Sequence, residues 1–266
     1  PHAVDSSIFR KFKANEVVAE EEIKNRIQQS TINLKKPNKK LFFWNNRNAR
    51  RKQSGSLIFW WKEWLDKRDL HGKAQLIMHT EPKDPHGQDL EHIVKQLGLD
   101  NKQVLFSTQK VPLDKMPLFY NMADITVNIS DAEGFGLATL ESLSCGTPII
   151  ATMTGGLQEQ VVGSLGMNGI GLYPTSKAVI GSQQVPYIYE DRVSKKGFMA
   201  ALDQMYDGGP EFRKELGDNG REHVLNNYNF DNFNKKWVDL MLKVHEEEGS
   251  WETRKGYSSI TFKEVA

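Results

Sequence analysis

Short apolar runs recur through the middle of the chain without the in–out alternation of a one-sided strand. "KLFFW" (40–44), "AQLIMH" (74–79), "QVLF" (103–106), "ITVNIS" (125–130), "TPIIA" (147–151) and "IGLYP" (170–174) are each four to six residues long. Helical patterns lie between them at 54–68, 87–98, 113–122, 137–145 and 156–162. A strand with helices over both faces has no polar side to show, so it reads as a continuous apolar run. The pattern predicts an α/β fold, a doubly wound, Rossmann-like parallel sheet. Residues 1–14 read as a linker and 16–30 as an exposed helix. The body of the domain is expected over 15–228, with a helical tail at 192–207 and 210–227. A last helix follows over 230–248, the segment 229–248 standing apart from the body. Residues 249–266 form an extension with no usable pattern.

Composition removes several function classes. Lys plus Arg number 35 against 34 for Asp plus Glu, so a net charge of +1 gives no general attraction to nucleic acid or to an acidic membrane. The single cysteine, Cys145, excludes an internal disulfide and fits a reducing compartment. The densest apolar run, "LIFWW" at 57–61, is far too short to span a bilayer. The expectation is a cytoplasmic protein, with peripheral attachment to a membrane left open. Opening on Pro1 rather than methionine, the chain reads as a fragment or a processed product.

The chemistry concentrates where the fourth run becomes a helix, in "DAEGFGLATLESLSCGTPII" (131–150). Ligands of such sheets bind beyond the carboxyl ends of the strands. Free amides at Phe135, Gly136 and Leu137, with the helix dipole, offer a site for an anion such as phosphate. Glycines at 134 and 136 remove the Cβ atoms that would block close approach. Helical side chains lean toward the N-terminus, so Glu141 leans back toward the same point while Glu133 lies in the loop ahead. Two acids then bracket a ligand that is anionic in the middle and hydroxylated at both ends, the layout of a nucleotide-sugar. The plain alternative is a tight strand-to-helix turn, with Glu133 favouring the dipole and Glu141 solvated. A dinucleotide reading is weaker, because Thr139 stands where Gly-x-Gly-x-x-Gly needs its third glycine.

The stretch "EGFGLATLESLSCGTPIIAT" resembles the Glu-x7-Glu signature of GT-B retaining glycosyltransferases of family 4. Three further segments resemble that family in the same order. "PHAVDSSIF" resembles its interdomain linker, with Ala3 where glycine is usual. "WNNRNARRKQ" resembles its phosphate-binding loop, with Arg47 and Lys52 at the family's separation but Asn46 and Gln53 in place of glycines. "TGGLQEQV" resembles its Gly-Gly-x-x-Glu turn. The resemblance implies that Arg47, Lys52 and Glu133 carry catalysis. The two cations would stabilise the leaving diphosphate, and Glu133 would hold the donor sugar. It places Gly134, Phe135, Gly136, Leu137, Glu141 and Thr108 around the nucleotide, Glu141 on the ribose and the "FSTQKVP" loop (106–112) by the base. It further implies a UDP- or GDP-sugar as donor substrate, no cofactor and no metal. The partner would be an N-terminal acceptor domain or partner chain, reached by the final helix crossing back to it. A non-catalytic nucleotide- or nucleotide-sugar-binding module is the other reading.

Other features carry less. "HTEPKDPHGQDL" (79–90) holds His79, Asp84, His86 and Asp89, yet the spacing matches no usual metal set and reads as a structured loop. Leu57, Trp61 and Leu65 are expected in the core, with Trp60 and Trp64 as candidate contacts to another domain. Arg50 and Arg51 read as solvated. Cys145 reads as packing, and His223 and His245 as surface residues.

Overall fold

The computed structural model describes residues 2–12 and 39–256. The expected helix at 16–30 lies outside the described residues. The apolar runs become β1 (Lys40–Asn45), β2 (Ala74–His79), β3 (Val104–Ser107), β4 (Ile125–Asn128) and β5 (Ile149–Thr152). After the two-residue strands β6 (Val162–Gly163) and β7 (Gly166–Met167) comes β8 (Gly169–Leu172). Six of these form one parallel sheet in the order β3-β2-β1-β4-β5-β8.

The runs are continuous because both faces are buried. Phe42, Trp44, Leu76, Met78, Ile125 and Val127 pack with Leu57, Trp61 and Trp64 of α1 (Ser54–Arg68) and Phe198 of α6 (Lys195–Asp207). On the opposite face, Phe43, Ile77, Leu105 and Ile149 pack with Phe119 and Tyr120 of α3 (Pro117–Met122). Leu140 and Leu143 of α4 (Leu137–Ser144) complete that layer. Fully burying one such side chain stabilises by about 1.5–3 kcal/mol, so both layers contribute to holding the sheet.

Local chemistry sets several boundaries. Asn128 ends β4 two residues before the end of the apolar run, because its Oδ1 accepts from both the amide and the hydroxyl of Ser130. Asp89 caps α2 (Leu90–Gln96) by accepting from the amide of His92 at 2.9 Å. Pro117 opens α3, which splits the expected 113–122 helix into a 3-10 turn and an α-helix. Residues 2–12 are tied to the domain, with Val4 and Phe9 buried and Ser144 Oγ donating to the Phe9 carbonyl at 2.6 Å. The short α5 (Leu157–Val161) precedes β6. The tail forms α6, α7 (Gly209–Asn227) and α8 (Phe230–Glu248), α6 starting three residues later than expected with Ser194 as its cap.

Two expectations are corrected. Trp64 does not face outward: it is fully buried against Phe42, and its Nε1 donates to Asp203 at 2.8 Å. Trp60 packs on Phe198 beside the same core. The exposed apolar surface lies instead on α8, where Phe230, Trp237, Leu240, Met241 and Val244 recur at helical spacing and none is buried. The second correction is a β-hairpin of β9 (Ser176–Ile180) and β10 (Ile188–Arg192), inserted between β8 and α6 where the sequence showed no pattern.

Candidate active site

Strand order reverses between β1 and β4. β2 and β3 extend the sheet to one side of that pair, β5 and β8 to the other. The segments leaving the carboxyl ends of β1 and β4 therefore diverge around a shared crevice. Lys52 comes from the first, at the end of a 3-10 turn over Arg50–Lys52, and Glu133 from the second. Their charged groups are in direct contact, with both side chains under one-tenth exposed. Asn128 Nδ2 also donates to Glu133 Oε1 at 3.3 Å, Ser130 Oγ lies 3.3 Å from the same oxygen, and Arg51 Nη1 lies 3.3 Å from Oε2. Burial pushes the Glu133 carboxyl up, but the Lys52 ammonium, the Asn128 amide and the Arg51 guanidinium outweigh it, leaving it below the usual glutamate range. Burial pulls Lys52 below the usual lysine range against the opposing pull of Glu133.

Beyond Glu133 the chain turns into α4 through Gly136, whose φ of 89° lies in the left-handed region. The amides of Phe135, Gly136 and Leu137 have no acceptor among the described residues. A Cβ on Gly134 would meet open space, so this backbone can be approached closely. The loop is braced from behind by Gly155 and Gly156. A Cβ on Gly155 would fall 1.8 Å from the Glu133 carbonyl oxygen, and the Gly156 amide donates to the Gly134 carbonyl at 3.1 Å.

Glu141, on the first turns of α4, accepts from Tyr120 Oη at 2.7 Å, and Tyr120 in turn accepts from Asn45 Nδ2 at 2.9 Å. Burial raises Glu141 above the usual range, partly offset by the Tyr120 hydroxyl. Ser107, at the end of β3 next to Thr108, has its hydroxyl 3.0 Å from His79 Nδ1. Burial holds His79 below the usual histidine range.

The predicted site residues thus fall into groups. Lys52 and Glu133 meet, next to the turn of Gly134, Phe135, Gly136 and Leu137, and Glu141 stands further along α4. Arg47 does not join the Lys52–Glu133 pair: its guanidinium grips Asp84 in the 80–89 loop, Nε to Oδ2 at 2.6 Å. Arg50 and Arg51 are not simply solvated. Arg51 Nη1 donates to the Ala132 carbonyl at 2.6 Å, and Arg50 forms a two-pronged pair with Glu190 of β10 at 2.7 and 2.8 Å. His223 stands at the surface, its Nε2 lying 2.8 Å from the Glu159 carbonyl. Cys145 is buried, and burial pushes its thiol pKa up. Among the described residues no three His, Cys, Asp or Glu side chains gather as a metal site, and no helix is long and apolar enough to cross a membrane.

Residues 25–180 match the family described as glycosyl transferases group 1. A stretch of 160 residues is 30% identical to an uncharacterized glycosyltransferase of Methanocaldococcus jannaschii, covering 60% of this chain and 35% of that protein. The fold is shared with the C-terminal domain of a group 1 glycosyl transferase family protein of Francisella tularensis. The TM-score is 0.59 and the identity 24%, over 85% of this chain and 98% of that one. It is also shared with Anabaena HepE, solved in complex with UDP-glucose, at TM-score 0.63 and 15% identity, over 91% of this chain and 56% of that one. At these identities the two structures establish the fold alone. The chain therefore corresponds to about a third to a half of the longer relatives it matches. With the match extending over more than half of its residues, the chain belongs to the glycosyl transferases group 1 family.

Proposed function

We propose that the chain is the donor-binding half of a retaining glycosyltransferase, one that moves a sugar from a UDP- or GDP-sugar to an acceptor hydroxyl. One juxtaposition carries this reading. At the switch point of the sheet, the buried Lys52–Glu133 pair stands beside a helix N-terminus whose amides at 135–137 have no acceptor among the described residues. Such amides and an ammonium suit a diphosphate.

Without donor, Lys52 and Glu133 neutralise each other. With donor bound, Lys52 turns to the diphosphate and Glu133 to the hydroxyls of the transferred sugar. Glu141, oriented by Tyr120 and Asn45, takes the ribose hydroxyls, and the loop at Thr108 takes the base. Arg47, paired with Asp84 in the free chain, would add positive charge at the crevice edge only on exchanging that carboxylate for phosphate. In the transfer, the bond from the anomeric carbon to the diphosphate oxygen breaks while the acceptor oxygen bonds to that carbon on the same face. The acceptor's proton passes to the departing diphosphate, whose growing charge Lys52 and the amides stabilise. The cations replace a divalent metal in this scheme. The UDP-glucose complex of the Anabaena protein, which has the same fold, supports the donor class. The acceptor side is assigned to a second domain or partner chain docked on the apolar stripe of α8.

The test is a thermal-shift and calorimetric screen of UDP-, GDP- and ADP-sugars with divalent metal and, separately, with EDTA. A ligand at about 100 times its Kd stabilises the folded state by about 2.7 kcal/mol, a readily measured rise in Tm. No rise with any nucleotide-sugar would remove the donor reading, and a rise abolished by EDTA would remove its metal-independent form.

A further inference from the structure

The β9–β10 hairpin has two unlike faces. Side chains alternate along a strand, so Ile188, Glu190 and Arg192 share one face of β10 while Tyr189 and Asp191 share the other. Tyr187 and Tyr189 are largely exposed, whereas Glu190 is only 3% exposed. Glu190 is held by both prongs of Arg50, the first residue of the turn that ends in Lys52. Arg192 Nη1 lies 2.6 Å from Oδ2 of Asp131, itself 2% exposed, and Gln53 donates to the same carboxylate. The backbone continues the link: the Asp191 amide donates to the Asp131 carbonyl at 2.9 Å, and the Asp131 amide to the Arg51 carbonyl at 2.8 Å. Two buried carboxylates and two guanidiniums thereby join three segments, the hairpin, the loop after β4 and the turn after β1.

We propose that Glu190 and Arg192 are positioning residues for the donor diphosphate site. They clamp the Arg50–Lys52 turn and Asp131 from outside, and so set where Lys52 and Glu133 stand. The proposal rests on the donor reading above, but its mechanical part does not need it. The clamp is balanced, with Glu190 and Asp131 facing Arg50 and Arg192. Removing Arg192 takes the guanidinium partner from Asp131, which is 2% exposed, while removing Glu190 releases Arg50, more than half exposed, from its clamped position. The turn after β1 and the loop after β4 both lie beyond the strand ends, so displacing either shifts Lys52 relative to Glu133.

The experiment compares the wild-type chain with Glu190→Ala, Arg192→Ala and Arg192→Lys. The first readout is the ratio of affinities for a nucleoside diphosphate and its nucleoside, using whichever of UDP, GDP and ADP binds the wild type. The second is hydrogen exchange at the amides of Lys52, Gln53 and Asp131, whose acceptors are Ala49, Arg50 and Arg51 within the clamped segments. Losing a hydrogen-bonded charge is expected to lower the affinity ratio at least about tenfold in both alanine variants, with Arg192→Lys recovering part of it. Exchange at the three amides is expected to accelerate while the β1–β2 ladder is unchanged. If Glu190→Ala does not fold, Glu190→Gln carries the comparison, since it keeps the volume and loses only the charge.

An unchanged ratio together with faster exchange confined to the hairpin would overturn the proposal, leaving a hairpin that is merely fastened on. If the wild type binds no nucleoside diphosphate, the donor reading fails and the exchange data alone decide. Unchanged protection at Lys52, Gln53 and Asp131 would then overturn the positioning claim as well.

Discussion

Tyr120 donates its hydroxyl to Glu141 at 2.7 Å, joining the helix before β4 to the helix after it. Only Oε2 of Glu141 is engaged in this way. Oε1 has no hydrogen-bond partner among the described residues and is free to accept from a ligand. Glu141→Ala is expected to weaken nucleotide binding by about 1–3 kcal/mol, the cost of hydrogen bonds to a charged acceptor. Calorimetry with ribo- and 2′,3′-dideoxy-nucleotides checks it, since equal wild-type affinity for the two would end the ribose assignment.

The same residue predicts a pH effect on stability. Burial raises the folded-state pKa of Glu141 above its ordinary value of 4.5, so the folded state binds the proton more tightly than the unfolded state. The resulting stabilisation is fully present below about pH 4.5 and lost as pH rises through the raised folded value. Glu141→Gln removes the buried charge, so its Tm is expected to exceed that of the wild type at neutral pH. The gap should close as pH falls. Melting curves from pH 4 to 8 provide the measurement, and a gap independent of pH would exclude the charge as its cause.

Lys52 and Glu133 are coupled through direct contact and shared burial. Lys52→Met leaves Glu133 with Arg51 as its remaining cationic partner. It is expected to destabilise the protein by up to about 3–5 kcal/mol, the range for breaking a buried pair. Lys52→Met with Glu133→Gln should recover part of that loss, and denaturant melts of all four proteins give the coupling energy. Additive losses would show that the two are not energetically paired.

The glycines of the two loops separate folding from binding. A Cβ on Gly155 would strike the Glu133 carbonyl oxygen at 1.8 Å from a backbone with φ of 48°, so Gly155→Ala is expected to destabilise by at least about 1–3 kcal/mol. A Cβ on Gly134 meets no atom, so Gly134→Ala should leave Tm nearly unchanged yet weaken nucleoside diphosphate binding. Undiminished binding by Gly134→Ala would mean that the ligand does not approach this backbone.

The exposed stripe of α8 predicts association. Trp237 and Met241 lie one turn apart and neither is buried by the described residues. The chain as given is expected to self-associate at high concentration, and Trp237→Glu with Met241→Glu to reduce this without lowering Tm. Light scattering and melting curves decide it. Unchanged association would place the sticky surface elsewhere, the exposed tyrosines of the hairpin being the next candidate.

The layered sheet was legible in the sequence because burial on both faces acts on every residue of a strand, leaving runs such as "AQLIMH" that coincide with β2. The turn at 133–137 was legible for a related reason. A glycine at a left-handed φ and a helix start are local demands, written in neighbouring residues. Tertiary structure alone decided the partners. Arg47 pairs with Asp84, Arg50 with Glu190 across 140 positions, and Trp64 with the core rather than with another surface. Charge carries no address: an arginine run has the same local pattern whether it faces solvent, phosphate or a buried carboxylate. The fold selects among these by bringing distant segments together. The β9–β10 hairpin is hard to read in the sequence for the same reason, since ion pairs of Glu190 and Arg192 fasten it, while Ala178, Ile180 and Ile188 on the same face are not buried.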